Sequence, residues 1–164
     1  MRYEDAGVSE SSVKNLLDFI REYYPEGKEF IGPFSANLPL RNFLSELNEP
    51  VLLLTTDGVG TKILVAKKFK KFDVIGHDCV AMNVNDIAAE GGKPLFFLDY
   101  LALSRLDLEE AKEIMKGVIN ALREARVFLV GGETAQLPDM FKEENFDVAG
   151  FAIGVKEKRK VDLK

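Results

Sequence analysis

Four aliphatic residues in a row, Val51-Leu52-Leu53-Leu54, lie between Pro50 and the segment Thr55-Thr56-Asp57-Gly58-Val59-Gly60-Thr61-Lys62. A short apolar run bounded by Pro and a glycine-rich turn predicts a buried strand. The turn that follows gathers a carboxylate, two glycines, several hydroxyls and a lysine. Glycines let a backbone approach a ligand closely and adopt positive φ. Exposed backbone N–H groups beside a lysine form a cradle for phosphate, and Asp57 could hold the accompanying Mg²⁺. The spacing is not that of a Walker A loop. Taken alone, the turn fits a plain strand-to-helix connection as well as a nucleotide site.

The remainder of the chain bounds the choice. Its 164 residues suit one domain, large enough to bury roughly two-thirds of its unfolded surface. No apolar stretch reaches the ~18 residues a membrane helix needs, and Met1 to Asp5 lack a signal-peptide core, so the expected location is the cytoplasm. One Cys79 and one His77 exclude a disulfide framework and a Cys/His zinc site. Cys79, beside Val80, is expected in the core, and His77 on a helix surface or partly packed. A net charge of −5 leaves no basic footprint for nucleic acid. The run Lys67-Lys68-Phe69-Lys70-Lys71 is expected to be a solvated turn.

In chain order, Ser9 opens a helix carrying Val13, Leu16, Leu17, Ile20 and Tyr24, which Pro25 ends. Residues 25–39, rich in Pro and Gly, read as a long irregular connection, and residues 40–48 fit a short helix or a strand equally. Ile63 to Ala66 start a short helix. A longer one covers about Asp73 to Glu90, closed by Gly91-Gly92 and Pro94 and apolar on most sides. Its Asp78, Asn83, Asn85 and Asp86 therefore require partners. Leu95 to Leu103 predict a central strand, and Asp107 caps a helix from about Leu108 to Ala125. Val127 to Val130 form a buried strand ending in a second glycine-rich turn, Gly131-Gly132-Glu133-Thr134, and Phe146 to Val155 the last strand. The order helix, strand, helix, strand, helix, strand, strand fits an α+β or α/β layer with helices on one sheet face, and the expectation taken forward is α+β with a mixed or antiparallel sheet. Asp57, Asp86 and Glu133, each near glycines at the end of an element, suit Mg²⁺, which takes a few carboxylates together with substrate phosphates.

Several segments have a specific likeness. Tyr3 to Val8, Thr56-Asp57-Gly58-Val59-Gly60-Thr61-Lys62, Met82-Asn83-Val84-Asn85-Asp86, Pro94 to Tyr100, Gly131-Gly132-Glu133-Thr134-Ala135 and Phe146 to Phe151 resemble, in order and nearly end to end, the aminoimidazole ribonucleotide synthetases. The resemblance implies ATP-dependent closure of formylglycinamidine ribonucleotide to aminoimidazole ribonucleotide in purine synthesis. It implies a homodimer whose sheets pair into a barrel, with ATP in a cleft near the interface. It also implies residue roles: Asp57, Asp86 and Glu133 as metal ligands, with Asp57 and Lys62 in catalysis. Gly58, Gly60, Thr61, Lys62, Gly131, Gly132 and Thr134 would line the nucleotide, and Asp78 and Asp99 would give supporting or substrate contacts.

Two departures stand out. Residues 30–38 hold one glycine where the family has a glycine-rich loop. The family also has a second domain, so residues 1–155 read as the ATP-binding N-terminal domain and 156–164 as the start of a linker to an absent C-terminal domain, on the same or a separate chain. The expectation is a half that binds Mg²⁺-ATP and dimerises without completing turnover unaided. The alternatives are a phosphotransferase of the thiamin monophosphate kinase or selenophosphate synthetase kind, for which Asp in place of Glu133 would argue, and a non-catalytic dimerisation module.

Overall fold

A computed structural model describes residues 9–31, 34–105, 107–141 and 145–158. The segment Tyr3 to Val8, the Gly32-Pro33 step and the charged residues after Lys158 lie outside that range.

The Ser9 hydroxyl accepts a hydrogen bond from the Ser12 amide at 3.3 Å and caps α1 (Glu10–Tyr23). Pro25 then opens a single 3-10 turn, Pro25–Gly27. The ambiguous stretch after it holds one short helix, α2 (Arg41–Leu44). Strand β1 (Pro50–Gly58) leads through Gly60, whose φ of +66° makes the turn, into α3 (Lys62–Phe69). The lysine run is therefore not a free turn: Lys67 and Lys68 lie in the last turn of α3, and Lys70 terminates it in the left-handed conformation. Next come α4 (Asp73–Ala89), β2 (Lys93–Leu103), α5 (Leu108–Ala125), β3 (Phe128–Gln136) and β4 (Phe146–Glu157). Asp107 caps α5 by accepting from the Glu109 and Glu110 amides at 3.0 and 3.1 Å.

The four strands form one mixed sheet in the order β1-β4-β2-β3. β4 pairs antiparallel with β1 and β2, while β2 and β3, joined by α5, run parallel. Side chains alternate between the faces of a strand. Phe97, Leu101, Leu129, Val148 and Ala152 meet Ile75, Cys79 and Val80 of α4 and Ile114, Val118 and Leu122 of α5 in the main core. Phe96, Val130 and Val155 point the other way into a smaller core with Phe30, packed against Phe43 and Phe128. The long connection and α2 thus cover one end of the face that lacks the long helices. Among the described residues no further helix covers the remainder of that face.

Two expectations need correction. β1 was expected to be buried, but among the described residues it is an edge strand bordered by β4 alone, and Leu52 and Leu54 are 56% and 68% exposed on the open face. Gly131-Gly132-Glu133-Thr134 was expected to be a turn, yet it continues β3 in register with Leu98, Asp99, Tyr100 and Leu101 of β2. The physical reason is local: the Asp99 carboxylate lies over Gly132, where a Cβ would overlap its Oδ1.

Helices α4 and α5 pack in close contact. A Cβ on Gly117 would overlap the carbonyl oxygen of Asp73, and one on Gly76 would overlap that of Ile114.

Candidate functional site

The end of β1 and the outer flank of α4 form the first cluster. Thr55 and Asp57 share the helix-facing side of β1, two residues apart and so about 7 Å along the strand. The Thr55 hydroxyl donates to Asp86 Oδ2 at 3.0 Å. Asp57 Oδ1 accepts from the Gly58 amide at 2.8 Å, and its main-chain carbonyl accepts from Asn83 Nδ2 at 3.2 Å. Asn83, fully buried, also donates to the Cys79 carbonyl at 2.8 Å, and its Oδ1 has no partner among the described residues. Lys62, the first residue of α3, places Nζ 2.8 Å from Asp78 Oδ2 and 3.6 Å from Met82 Sδ. α4 therefore buries one flank and exposes the other. The reading of a helix apolar on most sides needs this amendment, since Asn85 and Asp86 are exposed.

The second cluster lies across the sheet. Asp57 pairs with Gly150, Gly150 with Asp99, and Asp99 with Gly132, so one row crosses all four strands. Three strand spacings of about 4.8 Å separate β1 from β3. Glu133, on β3, faces the open side with Tyr100 and Phe151 along a concavity of about 890 Å³. Gly131, Gly132 and Thr134 also line a second concavity of about 540 Å³ beside Val13 and Leu17 of α1. Asp99 borders both spaces. Burial, reinforced by the charge of Glu133, pushes its carboxyl up to about 7. Burial first, with Asp99 and further carboxylates adding to it, pushes the Cys79 thiol up to about 12, in keeping with a core residue and not a nucleophile. His77 is a surface group 3.5 Å from Glu124.

The three acidic residues read as metal ligands thus divide two and one. Asp86 binds Thr55, two residues before Asp57 on the helix-facing side of β1, whereas Glu133 faces the other side of the sheet three strands away. Among the described residues no three His, Cys, Asp or Glu side chains gather closely enough to hold an ion. The oxygen-only donors Asp57 and Asp86 still fit Mg²⁺, which commonly takes one or two protein carboxylates and completes its shell with phosphate and water. Sequence reasoning missed Thr55 and Met82 as the partners of Asp86 and Lys62, contacts that the packing of α4 against β1 and α3 creates. It also missed Gly150, where a Cβ would stand 2.7 Å from Asn83 Nδ2. A lone glycine inside a strand pattern was the available signal.

A four-stranded mixed sheet with two long helices packed on one face defines the fold. Solved structures share that fold: thiamine-monophosphate kinase from Stenotrophomonas maltophilia K279a, at TM-score 0.65 and 23% identity, covers 87% of this chain and 42% of its own. The hydrogenase maturation protein HypE in complex with ATP, at TM-score 0.62 and 20% identity, covers 89% and 40%. At these identities the likeness is one of fold. The chain belongs to the family described as AIR synthase related protein, N-terminal domain, whose model matches residues 44–156. It is 45% identical over 164 residues to the phosphoribosylformylglycinamidine cyclo-ligase of Pseudothermotoga lettingae, covering 97% of this chain and 48% of that protein. The chain spans about half the length of the curated relatives it matches. No helix among the described residues is long and apolar enough to cross a membrane.

Proposed function

We propose that this chain is the Mg²⁺-ATP-binding, dimerising half of a phosphoribosylformylglycinamidine cyclo-ligase, which closes formylglycinamidine ribonucleotide to aminoimidazole ribonucleotide with release of ADP and phosphate. The observation that carries this reading is the packing of α4 beside β1 and α3, which sets Asp86 against Thr55 and Asp78 against Lys62 inside the span matched by the family. In the reaction, ATP supplies the phosphoryl group that activates the formyl oxygen for attack by the amidine nitrogen. Asp57 and Asp86 would hold Mg²⁺. The backbone N–H groups of Gly60, Thr61 and Lys62, at the start of α3, would cradle phosphate. Lys62 would neutralise charge on the transferring group. Identity of 42–45% to cyclo-ligases favours this reaction over that of the kinases, which resemble the chain in fold.

The open sheet face supports the second part of the proposal. Leu52, Leu54 and Phe151 are exposed side by side on it, and a second copy placed there would let two sheets close into a barrel. Glu133, Gly131, Gly132 and Thr134 would then belong to a second part of the site, close to the interface. Sedimentation should show a dimer that Phe151→Glu converts to a folded monomer. A wild-type monomer at high micromolar concentration would exclude this part of the reading.

Calorimetric titration with ATP tests the site itself. Binding should require Mg²⁺, and Asp57→Asn should weaken it by about tenfold or more, the scale of losing one charged ligand. Equal binding with and without Mg²⁺ would remove the reading. The purified chain is expected not to complete cyclisation unaided, and robust formation of aminoimidazole ribonucleotide would refute that point.

A further inference from the structure

The geometry points to Asp78 as the positioning residue for Lys62, an inference that rests on the Mg²⁺-ATP reading of this site. Lys62 stands at the junction of the Gly60 turn and α3, and its long stem has four rotatable bonds. A free lysine there would sample many directions, and fixing it costs side-chain entropy. Two groups of α4 restrict it: Asp78 Oδ2 at 2.8 Å and Met82 Sδ at 3.6 Å from the same Nζ. Asp78 and Met82 are four residues apart and so lie on one flank of the helix. One turn further along that flank, Asp86 holds the Thr55 hydroxyl. A single rail thus fixes both a cation on α3 and a hydroxyl on β1, and the rail is itself held by the close packing of α4 on α5 at Gly76 and Gly117.

An exposed ion pair of this kind contributes little to folding, since the two side chains are 56% and 40% exposed. Its effect is directional. An ammonium has three donors; with Asp78 and Met82 Sδ each taking one, the third is left for a phosphate oxygen. Asp78 therefore fixes where Lys62 points without using up its capacity.

The test is a double-mutant cycle on the full chain, read as Mg²⁺-ATP affinity and as melting temperature. Asp78→Ala should weaken binding about three- to fivefold, the scale of an exposed charge pair, with the melting temperature unchanged. Asp78→Asn keeps an acceptor for the lysine and should recover most of the loss. In a Lys62→Ala background Asp78→Ala should have no effect, which a merely structural role would not produce. Tighter binding by Asp78→Ala would show that Asp78 masks the lysine, and equal losses in both backgrounds would show that it acts elsewhere; either overturns the inference alone. Absence of Mg²⁺-ATP binding by the unaltered chain would overturn it together with the reading beneath it.

Discussion

Gly117→Ala is expected to lower the melting temperature by about 10 °C. The added methyl must displace the Asp73 backbone, because the overlapping atom is a carbonyl oxygen at the start of α4 and not the end of a flexible side chain. Overpacking of a tight core costs about 1–3 kcal/mol, and more where backbone has to move. A domain of this size loses about 2–4 °C for each kcal/mol. Gly76→Ala should act in the same direction, since its methyl would strike Ile114 O from the facing side. The two changes relieve one another once the helices have parted, so the double variant should lose less than the sum. Thermal unfolding followed by circular dichroism reads all three. A shift under about 2 °C for Gly117→Ala would mean that the helices slide apart freely.

Asp99→Asn should stabilise the protein above neutral pH and do little in acid. The carboxyl of Asp99 is pushed up to about 7 by burial, with Glu133 adding to the effect, against roughly 3.9 in an unfolded chain. Between those values the folded state binds more protons than the unfolded one, so stability falls as pH rises. The loss begins near pH 4 and is complete above about pH 7. At 1.36 kcal/mol for each pH unit it approaches an upper limit of about 4 kcal/mol. Asparagine keeps the shape and removes the charge. The advantage of the variant should therefore grow from nothing near pH 4 to its maximum by about pH 8, measured by urea unfolding. A constant difference across that range would show that Asp99 ionises freely in the folded protein.

Much of the architecture was legible because local signals agreed. Gly91-Gly92-Pro94 stops α4, Asp107 caps α5, and the apolar spacing of Ile114, Val118 and Leu122 marks the core face. The site was legible as residues but not as an arrangement. A pair of glycines signals a turn wherever no neighbour is known, and only the pairing with β2, with the Asp99 carboxyl over Gly132, shows that the two continue the strand. Four aliphatic residues likewise signal burial, and nothing in Val51 to Leu54 says that β4 alone will border them. The division of Asp57 and Asp86 from Glu133 follows from strand order, which spacing along a chain does not encode.

Strand order also has a consequence for how the protein is made. β4 is the last strand in sequence but lies second in the sheet, between β1 and β2. Gly58 pairs with Ala149 and Pro50 with Glu157, so every backbone bond between β1 and another strand spans most of the chain. During synthesis β2, α5 and β3 can assemble as a local unit while β1, with its turn of Asp57 to Lys62, still has no strand beside it. Long-range pairing of this kind is slow. The segment that would grip phosphate therefore waits, single-stranded, until Phe146 to Glu157 has left the ribosome, and it is the part of the nascent chain most dependent on protection from stray strand pairing.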